Sequence, residues 1–113
     1  MRIVQDIKLF ENANSGASRE VDTYNCDLAI LDINGTNQDA SIYIATKGID
    51  TGEFNRIISS FDSVTYQIRY TIETDGMYYI PIEGLSVIKI TINSAGSAYD
   101  SISGSIRLVN TQE

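Results

Sequence analysis

The sequence predicts an all-β fold, a single antiparallel sandwich of two sheets of jelly-roll or immunoglobulin-like kind, and two observations carry that prediction. From Val64 to Glu73 the residues Val64, Tyr66, Ile68, Tyr70 and Ile72 alternate with Thr65, Gln67, Arg69, Thr71 and Glu73. A period of two sends one set of side chains to one face of a strand. Beyond it, turn residues recur at almost every junction: Asp75 with Gly76, Glu83 with Gly84, then Ser94, Gly96 and Ser97. That punctuation belongs to a many-stranded domain with short connections.

The elements follow in order. Arg2 to Phe10 carries Ile3, Ile7 and Leu9 on one parity with Val4 and Phe10 on the other, which suits either a strand covered on both faces or an arm docked on a partner. Glu11 to Arg19 is a polar loop, and a short extended piece surrounds Val21 and Tyr24. Leu28 to Ile33 is a compact apolar strand closed by Asn34 and Gly35, the dipeptide best suited to a tight hairpin turn. The turn predicts an antiparallel hairpin with Ser41 to Thr46, where Ile42 and Ile44 form the apolar face.

Lys47 to Glu53 reads as an exposed loop. Phe54 to Phe61 fits a helical stripe at Phe54, Ile57, Ile58 and Phe61, yet it is too short for a stable helix, and Asn55, Ser59 and Ser60 are poor helix formers. A strand is predicted. Met77 to Ile82 is a further strand, and Pro81 within it implies either a sheet border or a position whose N–H would face away from the ladder, because proline donates no ladder bond. Leu85 to Asn93, with Ile88, Ile90 and Ile92 on one side, and Ser103 to Val109, with Ile106 and Leu108, complete a set of eight or nine short strands in one domain spanning residues 1–113.

The totals narrow the function. A chain of 113 residues can bury one core without staples, and its one cysteine, Cys26, excludes an internal disulfide and a cysteine zinc cluster within one copy. The net charge is −7, with 8 scattered cations, so nucleic acid is not an expected partner. No apolar run reaches the roughly 20 residues of a membrane helix, and Asp6 and Lys8 interrupt the opening where a secretion signal is apolar. Synthesis and folding in a cytoplasm are expected, with no membrane partner.

Histidine is absent, which removes the usual general base and the commonest metal ligand. No enzyme activity is expected. The carboxylate pairs Asp50 with Glu53 and Glu73 with Asp75 could serve a glycosidase, but turns hold such residues for ordinary reasons. The same holds for Asp32, Asp39, Asp50, Asp62, Asp75 and Asp100, which lie near predicted strand ends without the spacing of a calcium loop. No metal or cofactor is predicted. Tyr43 and Tyr79 sit on the parity opposite their strands' apolar set, where rings could stack on a sugar.

With the strands laid out, Leu28 to Asn110, about three quarters of the chain, resembles a group of small β-sandwich structural proteins of tailed bacteriophages that serve as capsid decoration, head-fibre or tail-associated modules. The resemblance is carried by "LAILDINGTNQDASIYIATKGIDTGEF" and by Gly76 with Tyr78, Gly84, the alternating strand Val87 to Ile92, Gly96, and Gly104 with Ile106 and Leu108. It implies a decoration protein on the outer surface of a phage head, made in the host bacterial cytoplasm and carried on the virion. Its partner would be the major capsid protein of the same phage, with contact through Arg2, Ile3, Val4, Ile7 and Phe10, and self-association is possible. The alternative it leaves open is a tail or fibre module that binds cell-surface glycan through Asp50, Glu53, Tyr99 and Asp100.

Overall fold

A computed structural model describes residues 1–14, 16–35, 41–48, 52–94 and 101–112. Among the described residues ten strands run in the order β1 (Arg2–Ala13), β2 (Ser18–Asp22), β3 (Leu28–Asn34), β4 (Ser41–Thr46), β5 (Arg56–Ile58), β6 (Ser60–Asp62), β7 (Ile68–Arg69), β8 (Gly76–Pro81), β9 (Val87–Ser94) and β10 (Ile102–Asn110). They form a six-stranded sheet, β1-β10-β3-β8-β6-β7, and a four-stranded sheet, β2-β9-β4-β5. Every pairing is antiparallel. With the short β6–β7 ribbon set aside, the eight remaining strands have the jelly-roll order, the chain stepping from sheet to sheet so that each sheet mixes both halves of the sequence.

Alternation builds the core between the sheets. Ala29, Leu31 and Ile33 of β3, Tyr78 and Ile80 of β8 and Ile106 and Leu108 of β10 meet Ile42, Ile44, Ile88, Ile90 and Ile92 of the opposite sheet, all buried. β-Branched isoleucine suits this position because its stiff side chain packs well on a pleated surface. Burial of each such side chain contributes about 1.5–3 kcal/mol. The phenol of Tyr78, buried at the margin of this layer, donates to the Thr74 carbonyl at 2.7 Å and lies 2.8 Å from the Thr74 hydroxyl.

Three expectations are corrected. The predicted hairpin across Asn34 and Gly35 does not form, because β3 and β4 lie in opposite sheets. Ile42 and Ile44 therefore face the β3 side chains across the core, where both sets are covered on their apolar side. Gly35 is needed for another reason. Its φ is +88°, and a Cβ there would lie 2.3 Å from the Ser101 carbonyl oxygen.

The strand predicted over Val64 to Glu73 shrinks to Ile68–Arg69. Ser63 to Gln67 turns instead, and Ile72 alone of the alternating set is buried, bonded through its backbone to Ile42 at 2.9 and 2.7 Å. Of the two readings of Pro81 the second holds, since β8 lies between β3 and β6 and is no sheet border. β6 pairs only as far as Tyr79, so the missing N–H falls where no ladder bond is required. Phe10, expected at a partner contact, belongs to the core. The segment Phe54 to Phe61 is extended as predicted, but it divides at Ser59 between two sheets, which raises the strand number to ten.

Candidate functional site

The outer face of the six-stranded sheet is the part of the molecule whose chemistry departs from that of an ordinary solvated surface. Register places one outward residue of each strand in a single row across the sheet: Asp6, Arg107, Ile30, Tyr79, Phe61 and Ile68. A neighbouring row holds Lys8, Ser105, Asp32 and Met77, and another holds Ile3, Leu28 and Pro81 around Val109, which is itself fully buried. Outward positions of a sandwich are ordinarily polar. Here the β3, β8, β6 and β7 members of the first row are all aliphatic or aromatic.

The β6–β7 end carries the most exposed members. Val64 is 71%, Tyr66 76%, Ile68 66% and Tyr70 65% exposed, with Met77 and Tyr79 at 44% and 38%. A contiguous apolar surface of this kind marks an interaction site more often than it marks free surface. The sequence holds these residues outward by a local device. Asp62 is buried, and its Oδ1 accepts the backbone N–H of Val64 at 2.9 Å and of Thr65 at 3.3 Å.

The turn is closed by Tyr66 N–H donating to the Asp62 carbonyl at 2.9 Å and by Ser63 Oγ donating to the Met77 carbonyl at 2.7 Å. Tyr66 takes φ +59°, a left-handed conformation that bulky residues seldom adopt. Its ring then tilts against Phe61, centroids 6.2 Å apart. The N–H of Val64, joined by that of Thr65 and by the Arg69 guanidinium 3.8 Å away, holds the Asp62 carboxyl below the usual carboxylate range.

At the other end of the row the face is charged but internally neutralised. Arg107 Nε and Nη2 donate to the two Asp6 carboxylate oxygens at 2.7 and 3.0 Å, a bidentate pair. The hydrogen bond from Arg107 lowers the Asp6 pKa, and the same bond raises that of Arg107. A groove of about 340 Å³ lies over this region, lined by Asp6, Ile30, Asp32, Met77, Ser105 and Arg107. A second, of about 330 Å³, lies beside β7 among Ile68, Arg69, Tyr70, Glu73 and Tyr78.

The residues singled out from sequence are dispersed by this architecture. Arg2 and Ile3 are exposed, Val4 and Ile7 lean on the core cluster, and Phe10 lies within it. Asp50, Tyr99 and Asp100 lie outside the described residues, as do Asp39 and Gly96. Glu53 is exposed, and its carbonyl accepts from Gly48 and Asn55 at 3.1 and 2.9 Å. Cys26 is buried and forms no disulfide among the described residues. Among the described residues no group of three or more acidic, cysteine or histidine side chains could hold a metal, and no helix is long and apolar enough to cross a membrane.

Tyr79, picked out by its parity, is on the outer face, while Tyr43 is half-buried on the four-stranded sheet. Sequence reasoning missed Ile30, Phe61 and Met77 as surface residues. A signal existed for Ile30, because Leu28 to Leu31 is apolar on both parities, the mark of a strand covered on both faces.

Comparison with solved structures places the chain among two proteins of similar fold. Over 94% of this chain and 92% of the other it superposes, with a TM-score of 0.78 and 16% identity, on the SPBc2 prophage-derived protein YomS. It matches the PBSX exported protein XepA with a TM-score of 0.75 and 15% identity, over 91% of this chain but 36% of XepA. At these identities the likeness is one of fold. No family model matches the chain, and no curated protein matches it by sequence.

Proposed function

We propose that this chain is a non-enzymatic phage structural protein that binds a protein surface through the outer face of its six-stranded sheet. In its most specific form the proposal is a decoration protein on the outside of a phage head, with the major capsid protein of the same phage as partner. The observation that carries it is the row from Ile30 through Tyr79 and Phe61 to Ile68, with Tyr66 and Met77 beside it, left uncovered on a chain of charge −7. The word "prophage-derived" in the description of YomS supports a phage origin.

The mechanism is additive binding. A protein that binds the assembled shell and not free subunits stabilises the shell by mass action, and many copies multiply the effect. The absence of histidine supports a role without catalysis, and the scattered cations support a role without nucleic acid. The protein would be made in the bacterial cytoplasm and end on the virion.

A second reading is favoured by one observation, the exposed rings of Tyr79, Tyr66 and Tyr70 around the face. Such rings would stack on a sugar, and the chain would then be a tail or fibre module binding cell-surface glycan. Quantitative mass spectrometry of purified particles separates the two. Copies comparable to the shell protein support decoration. A few copies per particle support the tail or fibre reading. Absence from particles overturns both and leaves a free protein, as the word "exported" in the description of XepA would suggest.

A further inference from the structure

We propose that the open edge of β1 is the seam of a symmetric dimer, in which a second copy of this chain adds its own β1 antiparallel and joins two six-stranded sheets into one. The four sheet edges are unequal. β7 has 2 residues, β5 has 3 and β2 has 5, whereas β1 has 12. Short edges are one way in which sheets avoid adding strands, and β1 lacks that protection.

Within β1 the stretch Gln5 to Lys8 pairs regularly with Leu108 to Ser105 of β10, and register shifts flank it on either side. The Arg19 guanidinium, from the other sheet, donates to the Lys8 carbonyl, so that carbonyl faces away from β10. Alternation in an antiparallel ladder then turns the Asp6 backbone to the same open side. A carbonyl oxygen accepts two hydrogen bonds, so the Arg19 contact is compatible with a ladder bond.

Charge selects the partner and the register. Arg2–Ala13 contains Arg2 and Lys8 against Asp6 and Glu11, a net charge of zero on a chain of −7. This edge is therefore a place where two acidic copies can approach without like-charge repulsion. A two-fold axis at Ile7 sets Asp6 opposite Lys8 of the second copy, and Lys8 opposite its Asp6, each extending a pair already made within one copy, Asp6 with Arg107 and Lys8 with Glu11 at 3.5 Å. Moving the axis one residue sets Asp6 against Asp6 or Lys8 against Lys8, which like charge disfavours. The Ile7 axis also brings two half-buried isoleucines side by side.

Rotation about an axis normal to the sheet keeps both outer faces on the same side. Two copies of the apolar row would then lie in one surface, doubling the contact available to a partner. The dimer itself does not depend on what that partner is.

The test begins with the mass of the protein in solution by light scattering across a concentration series, where twice 12.5 kDa is expected at the upper end. Lys8→Asp faces Asp6 of the second copy and should raise the dimer dissociation constant at least tenfold. Ile7→Cys places two sulfurs across the axis, where paired Cα atoms lie about 4.5 Å apart and within disulfide reach. Mild diamide should link it into a covalent dimer, while Ser18→Cys on the other sheet stays monomeric at the same concentration. Buried Cys26 offers no competing thiol. A chain that stays monomeric at every concentration overturns the proposal, as does a closed ring of more than two copies. A dimer indifferent to Lys8→Asp and without the Ile7→Cys link overturns it also.

Discussion

The two outward faces of this sandwich are built by the same alternation and differ in what they do with it. On the four-stranded sheet, register runs Glu20, Lys89, Ala45 and Ile57 across one row and Ser18, Thr91 and Tyr43 across another. Its large aromatic, Phe54, is roofed by the Lys47 and Lys89 ammonium groups at 5.2 and 5.6 Å from the ring centroid. Cations and their alkyl stems thus cover that face from within the molecule. On the six-stranded sheet the two cations beside the aromatic row, Arg107 and Arg69, are engaged by Asp6 and Asp62, and the rings stay open. The four-stranded face is covered in part by its own side chains, with Ile57 at its edge half exposed, and the six-stranded face leaves a larger set of apolar side chains open.

The comparison has sharp consequences for substitutions. The largest stability effect belongs to the layer both faces share: Ile90→Ala should cost about 2–5 kcal/mol in denaturant unfolding, because a fully buried side chain leaves a cavity. Ile68→Asp, on the open face, should stay within about 0.5 kcal/mol of wild type. Equal losses at the two positions would mean that the open face is already part of the core.

Next comes the device that holds the apolar knob outward. Asp62→Ala removes the acceptor of the Val64 and Thr65 N–H groups and should cost about 1–3 kcal/mol. Because the folded pKa of Asp62 lies below its unfolded value of about 3.9, its contribution is present above that pH and disappears as pH falls through the lowered folded value. Acid unfolding of Asp62→Ala followed by circular dichroism should therefore be shallower than that of wild type over this range. Asp27, held down chiefly by the Thr111 hydroxyl, and Asp6, held by Arg107, act in the same direction.

A further effect, of opposite sign, lies on the four-stranded face. Thr91 Oγ1 is buried without a hydrogen-bond partner among the described residues. Thr91→Val removes that orphan and should be neutral or stabilising by up to about 1 kcal/mol, measured as a shift in the denaturant midpoint.

Much of the fold was legible because one physical rule, alternation, governs most strands. Ile42 and Ile44, Ile88 to Ile92, and Ile106 with Leu108 were each placed on their buried side from spacing alone. Sheet membership was not legible. Asn34 and Gly35 carry hairpin chemistry, yet the same residues serve a step between sheets, and only the long-range contact of Gly35 with Ser101 reveals it. The candidate site was missed for a related reason. Alternation at Val64, Tyr66, Ile68 and Tyr70 reads as a buried strand, and one buried carboxylate, Asp62, which holds the Val64 and Thr65 N–H groups beside Arg69, turns the segment outward instead. A local pattern that the monomer leaves unburied is where function is expected.

The central claim is that the open face of the six-stranded sheet is the binding face. The most direct measurement is the occupancy of decoration-free particles by purified wild type, Ile68→Asp, Tyr79→Ala and, on the opposite face, Ser18→Asp, read by quantitative mass spectrometry across a titration. The account predicts at least tenfold weaker binding, about 1.4 kcal/mol, for the first two variants and wild-type binding for Ser18→Asp. Equal binding by all four, or loss only with Ser18→Asp, would contradict it.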